Sequence, residues 1–160
     1  MKKVSIGVML LIAGLAPLFP AISDESRHDK NIVPDAEREI AKQQNISGPA
    51  ENKGIGIINL LGAIELGDEF PSMEGRQLRA RELTILPGGI VAVHQHDARP
   101  GLAYILEGEI IEHRNDQADP ILRTPGAVAF EKTGVTHWWE NQSAEPVKAL
   151  VVDIIKSEQK

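Results

Sequence analysis

The chain contains no cysteine. That absence removes disulfides, thiolate metal sites and cysteine nucleophiles together, and it is compatible with an oxidising compartment without requiring one. Basic clusters are also missing. With 17 Lys and Arg against 23 Asp and Glu the formal net charge is −6, and no Lys/Arg-rich block occurs, which argues against a nucleic-acid partner. The one long apolar run, Val4 to Leu15, falls short of the roughly 20 residues a membrane span needs. After residue 50 there is no helical period of convincing length. The apolar and charged shares, 42% and 25%, are those of an ordinary globular domain.

Met1-Lys2-Lys3, the apolar run, Pro17 and Pro20, and then Ala21-Ile22-Ser23 before Asp24 form the pattern of a secretory signal, with small residues where signal peptidase reads. We therefore expect residues 1–23 to be a cleaved signal peptide and the protein to be periplasmic or secreted; an uncleaved anchor is the alternative. Cleavage removes Lys2 and Lys3 and leaves a more acidic chain. Residues 24–52 are polar, with Pro34, Gly48 and Pro49, and read as a linker. A weak helical signal runs from Pro34 to Gln44, with Pro34 in the first turn and Asp35, Glu37 and Glu39 at the positive end of the dipole. His28 in this tail reads as a solvated residue.

From residue 53 to 157 the texture is one of short apolar stretches punctuated by turn residues. The expected strands are Ile55–Leu61, Ala63–Leu66, Arg76–Leu86, Gly89–His96, Gly101–Leu106, Glu109–His113, Pro120–Thr124, Ala127–Glu131, His137–Asn141 and Val147–Ile155. Pro87-Gly88-Gly89, Arg99-Pro100-Gly101, Thr124-Pro125-Gly126 and Thr133-Gly134 are among the expected breaks. Many short strands at this spacing predict a single all-β sandwich or barrel.

Three of the five histidines are closely placed: His94 and His96, and then His137. Residues two apart in a strand share a face, so His94 and His96 can converge on one ion, with His137 joining from another strand.

The spacing extends beyond the histidines. Gly88, five residues, His94, one residue, His96 and then Gly108 twelve further on resembles the first motif of the cupin superfamily. Gly126, five residues, Lys132, one residue, Gly134, two residues, His137, three residues and Asn141 is similar to its second. The His-Gln-His, Arg-Pro, Tyr104, Glu107-Gly108-Glu109 and His137-Trp138-Trp139-Glu140-Asn141 elements resemble those of small bacterial single-domain cupins. The resemblance implies a double-stranded β-helix, or jelly-roll, barrel with a disordered or partly helical N-terminal extension.

It also implies a metal site of His94, His96 and His137 that holds one divalent ion. Iron(II) is favoured, and manganese, nickel, zinc and copper are open. Two positions depart from the family pattern. Counting back from Gly108, the place of the usual glutamate ligand is Gly101, and the usual proline of the second motif is Lys132. Three neutral imidazoles leave the ion its full double charge. Such a site would favour an anionic or chelating ligand, as in the three-histidine cupin dioxygenases; the alternative is a degraded site.

Strand parity assigns the remaining residues. With Gly101 inward, Ala103 and Ile105 follow it and Tyr104 faces out. Trp139 shares the side of His137 and is a pocket-wall residue, while Trp138 faces the other way. Arg99, in the loop after His96, is a candidate for holding a substrate carboxylate, or else a solvated partner of Asp97. Arg81 shares a face with Arg79, Leu83 and Ile85, either a pocket wall or an outer face. Asn141 reads as a strand-end tie and His113 as a solvated hairpin residue.

The reading is an exported metal-binding cupin that acts on a small molecule, with dioxygenase-type chemistry if it is an enzyme and the ion is iron(II), and Lewis-acid isomerisation or lyase chemistry open for another metal. A non-catalytic binding module is the alternative. A homodimer through the apolar Ile55–Leu66 region is a further expectation.

Overall fold

The computed structural model describes residues 33–43 and 46–157. The expected signal segment and His28 lie outside the described residues. A short helix α1 (Asp35–Ala41) precedes β1 (Lys53–Glu65), a helical turn α2 (Leu66–Glu69) and a 3-10 turn at Pro71–Met73. Seven strands follow: β2 (Arg76–Gln95), β3 (Gly101–Glu107), β4 (Ile110–Arg114), β5 (Ile121–Arg123), β6 (Val128–Glu131), β7 (Thr136–Glu140) and β8 (Val147–Lys156). All pairings are antiparallel, in the order β5-β4-β7-β2-β8-β3-β6, with β1 added along β2.

The sheet curls into a nearly closed barrel. Side chains from β5 and its neighbour β4 reach the other end, β6: Arg123 Nη1 donates to the Val128 carbonyl at 3.2 Å, and Arg114 Nη1 to that of Phe130 at 3.1 Å. Period-two alternation fills the interior. Leu83 and Ile85 of β2, Ala103 and Ile105 of β3, Ile110 of β4, Ala129 of β6, Trp139 of β7 and Val147, Ala149 and Val151 of β8 form one core, as inward faces of a small jelly roll must.

Two expected breaks are absent. The expected Arg76–Leu86 and Gly89–His96 form one strand, β2, which ends at Gln95, and Ile55–Leu66 runs as the continuous β1 up to Glu65, with Leu66 opening α2. Pro87-Gly88-Gly89 is an irregularity inside the ladder, not a turn. Gly88 has φ +71° and Gly54 opposite has φ +61°, a conformation glycine adopts without a side-chain penalty. A Cβ on Gly89 would stand 2.8 Å from the Gly54 oxygen. Pairing resumes at once, with Gly88 N donating to Asn141 O at 2.8 Å and Asn141 N to Gly89 O at 2.9 Å. Thus β2 bends as at a bulge: its first half pairs β8 and its second half β7. The bend carries His94 from one part of the barrel to another. Asn141 ties this corner as its position suggests, its amide donating to the Ile85 and Glu145 carbonyls.

Candidate metal centre

His94 lies near the end of β2, His96 just beyond it, and His137 on β7 directly opposite His94 in the register. Asp97 joins the two loops, its carboxylate accepting from Gly134 N at 2.8 Å. All three imidazoles are buried, at 3%, 0% and 0% exposure. Their ligand atoms lie within 4.8 Å of one another. The expected convergence of the three histidines is therefore present.

Each Nδ1 faces an acceptor. His94 Nδ1 is 2.7 Å from the Ala92 carbonyl, His96 Nδ1 3.1 Å from that of Arg99, and His137 Nδ1 2.7 Å from a Glu112 oxygen. A carbonyl or carboxylate cannot donate, so each Nδ1 carries the hydrogen and each Nε2 presents a lone pair. His96 Nε2 lies 2.9 Å from His137 Nε2, and His137 Nε2 lies 3.1 Å from His94 Nε2. Three lone pairs so close together repel unless a cation lies among them. A proton carried by His94 or His96 is disfavoured in that role. Burial first, then repulsion from His137, holds His94 well below the usual histidine range and pushes His96 down to about 2. Three imidazoles, each held by an acceptor at Nδ1 and each turning Nε2 to the same point, fit a divalent ion.

The carboxylates around this cluster were not assigned from sequence. Glu112, fully buried, accepts from His137 and from two arginines, Arg114 Nη1 at 3.0 Å and Arg123 Nε at 2.9 Å. Burial alone would raise its pKa; the bonds from His137 and Arg123 outweigh this and hold it below the ordinary value. Asp153, 1% exposed, accepts from Arg79, Arg81 and Arg99. Burial raises its pKa, and these cations more than reverse the effect. Glu131 is 5% exposed, and its Oε2 has no hydrogen-bond partner.

Parity could have found all three. Ile110 and Glu112, Ala129 and Glu131, and Val147-Ala149-Val151-Asp153 are inward runs that each end in an acid. What hides them is that a strand ending in a charge looks like a strand meeting solvent.

The three residues named for substrate contact line one cavity. Its volume is about 40 Å³, and its apolar wall includes Leu83, Ile105, Ile110 and Trp139, with Arg81, His94, Arg99 and Glu131 at the polar end. That is room for a ligand of only a few heavy atoms. Arg81 is thus on the inner face. Its Nη2 donates to Asp153 at 2.8 Å, while its buried Nε has no partner; desolvation, partly offset by Asp153, lowers its pKa to about 10. Arg99 is buried and pairs with Glu37 of α1 through two bonds, at 2.8 and 2.7 Å, and with Asp153 at 3.1 Å, not with Asp97. The short helix thereby packs over this end of the barrel. Burial works against the Arg99 charge, but Glu37 over-compensates and raises its pKa.

Tyr104 faces outward at 37% exposure. His113 is not a free solvated residue: it stacks on Trp138 with ring centroids 3.7 Å apart and pairs with Glu140 at 2.8 Å.

The cupin domain family matches residues 81–153, the stretch that holds all three histidines and both glycine-framed motifs. The chain belongs to the cupin family. Among solved structures it is similar to the TT1209 protein of Thermus thermophilus, with 30% identity over 53% of this chain and 77% of that one at a TM-score of 0.45. A predicted oxalate decarboxylase from Thermotoga maritima is 22% identical, covering 61% of this chain and 93% of that one, with a TM-score of 0.44. The cupin domain of an XRE family transcriptional regulator from Enterobacter cloacae is 12% identical, covering 68% of this chain and all of that one, at 0.47. No curated protein matches the sequence.

Proposed function

We propose that this cupin is an exported, metal-dependent enzyme of dioxygenase type that acts on a small anionic or chelating molecule. One observation carries the metal site: three buried Nε2 lone pairs converge while an acceptor holds each Nδ1. His94, His96 and His137 would hold the ion, and Glu112 keeps His137 in its ligating tautomer. Iron(II) is the favoured ion, with manganese, nickel, zinc and copper as alternatives. Bound there, such an ion supplies a Lewis-acidic or, for iron(II), an oxygen-activating centre.

The substrate reading rests on the cavity. Its buried Arg81 Nε is a donor without an acceptor, a costly state that an anionic ligand would relieve. Arg99 adds positive potential at the same end, with its own hydrogen bonds committed to Glu37 and Asp153. Trp139 and the aliphatic wall would enclose the apolar part of the ligand and exclude water. Export rests on the sequence of residues 1–23. A homodimer through β1 draws support from Ile57, Leu60, Leu61 and Ile64, all more than half exposed on an edge strand. No nucleic-acid partner is expected.

The test is to purify the untagged protein and measure bound metals by mass spectrometry, beside His96→Ala. Near-stoichiometric metal that the substitution abolishes is expected; trace metal indifferent to it would refute the site. Oxygen uptake with small carboxylates, thiols or diketones then separates enzyme from binding module. A loaded protein that consumes no oxygen with any of them is the non-catalytic module.

A further inference from the structure

Among the described residues three buried side-chain atoms lack a hydrogen-bond partner: Arg81 Nε, Glu131 Oε2 and Trp138 Nε1. Two of them belong to residues that line the same cavity, Arg81 and Glu131. They are opposite in kind, because a guanidinium nitrogen only donates and a carboxylate oxygen accepts.

The surrounding side chains are committed elsewhere. Arg81 gives its Nη2 to Asp153 at 2.8 Å, and Arg99 gives its guanidinium to Glu37 and Asp153. His96 Nδ1 stands 3.6 Å from Glu131 Oε2, beyond hydrogen-bonding distance, and donates instead to the Arg99 carbonyl at 3.1 Å. The register separates the acids. Gly101 of β3 lies directly between Glu131 of β6 and Asp153 of β8 in the ladder, and it brings no side chain. Glu131 is therefore two strand spacings, roughly 10 Å at the backbone, from the acid that gathers Arg79, Arg81 and Arg99. It is still within electrostatic reach: desolvation lowers the Arg81 pKa, and Asp153 and Glu131 both pull it back.

Each orphaned atom has lost its hydration without a bond in return. A plain anion would satisfy Arg81 and leave Glu131 stranded. A molecule that presents an acceptor and a donor together satisfies both.

We propose that the cavity takes a small carboxylic acid with a hydroxyl or amino group beside its carboxylate. The carboxylate accepts from Arg81 Nε, and the neighbouring O–H or N–H donates to Glu131 Oε2. A volume of about 40 Å³ limits the choice to the smallest such acids. The proposal rests on the reading of this cavity as an anion site and adds the second group that the ligand must carry.

The probes are glycolate, glycine and acetate, which share a carboxylate and differ in the donor. Each is titrated by calorimetry into the full untagged protein as purified, as wild type, Glu131→Leu and Arg81→Lys. Wild type should bind glycolate or glycine about 10-fold or more tighter than acetate, and the preferred one of the two names the donor. In E131L that preference should shrink by about the same factor while acetate binding persists. An ion at the histidines would favour the chelating acids in both proteins alike, so the change between them reads Glu131 alone. R81K keeps a charge for Asp153 but has no Nε donor, and should weaken all three acids.

A preference that is absent from wild type, or that E131L leaves within about twofold, overturns the proposal and leaves the anion site standing. Unchanged binding in R81K overturns it as well. If wild type binds none of the three acids, both readings fall. Should E131L not fold, Glu131→Met removes the same oxygens and carries the same expectation.

Discussion

Replacing Glu112 by glutamine changes one charge and almost no volume, yet the carboxylate has three cationic or donor neighbours that a carboxamide cannot all satisfy. Oε1 accepts from His137 Nδ1 at 2.7 Å and from Arg114 Nη1 at 3.0 Å, and Oε2 accepts from Arg123 Nε at 2.9 Å, with Arg123 Nη2 ion-paired to it at 2.7 Å. Glutamine has a single oxygen and must turn its NH₂ toward one side. The two contacts from Arg123 favour keeping the oxygen there. The NH₂ then meets His137 and Arg114. Nδ1 of His137 must become an acceptor, Nε2 takes up the hydrogen, and the site loses one of its three lone pairs.

Groups that orient a ligating histidine are worth about 10–100-fold in metal affinity, or roughly 1.4–2.8 kcal/mol. One donor left facing a guanidinium costs the fold about 1–3 kcal/mol besides. Chelator competition measures the first quantity, and urea unfolding of the metal-free protein measures the second. Should E112Q lose stability but keep its affinity within about twofold, Glu112 serves only to close the barrel, and its role in fixing the His137 tautomer is refuted.

Asp153→Asn should destabilise the barrel by about 3–5 kcal/mol, because it leaves buried Arg81 without a counter-charge; a urea midpoint close to wild type would contradict this. The sign of the pH effect follows from the depressed folded pKa of Asp153. Its stabilisation is full above the unfolded value of about 3.9 and is lost as the pH falls below that toward the folded value, so wild type should lose stability over that acid range while D153N shows a flatter profile. For the edge strand, Leu60→Lys should convert a dimer to a monomer in sedimentation experiments. A wild-type protein that already sediments as a monomer would end the dimer reading.

The legible part of this protein is whatever depends on spacing along one strand or between two marked turns. His94, His96 and His137, the outward Tyr104, the inward Trp139 and the tying role of Asn141 all follow from periodicity and motif. The strand bounds fared worse at glycine. Gly88-Gly89 and Gly62 read as breaks, but Gly88, with its positive φ, bends β2 without ending it, and Gly62 stays paired with Ala80 inside the ladder. Glu37 left no trace at all in the pattern. It reaches Arg99 across 62 positions, and nothing in a polar helix of seven residues says which cation it will meet.

The acid missing from the motif shows the same division more sharply. Counting along the chain finds a glycine where a glutamate belongs, and concludes that the centre is either unusually positive or vestigial. Counting across the sheet gives a different answer, because the neighbours of Gly101 are Glu131, 30 residues later on β6, and Asp153, 52 residues later on β8. Removing the side chain at 101 and placing acids on both flanking strands keep negative charge in the same layer of the barrel. One of those acids is absorbed by Arg79, Arg81 and Arg99, which needed a counter-ion in any case. Only the other keeps an unpartnered oxygen at the cavity. A single glycine in a motif therefore cannot establish that negative charge has been lost from this layer, because a sheet delivers side chains to one region from three strands and sequence order records only one of them.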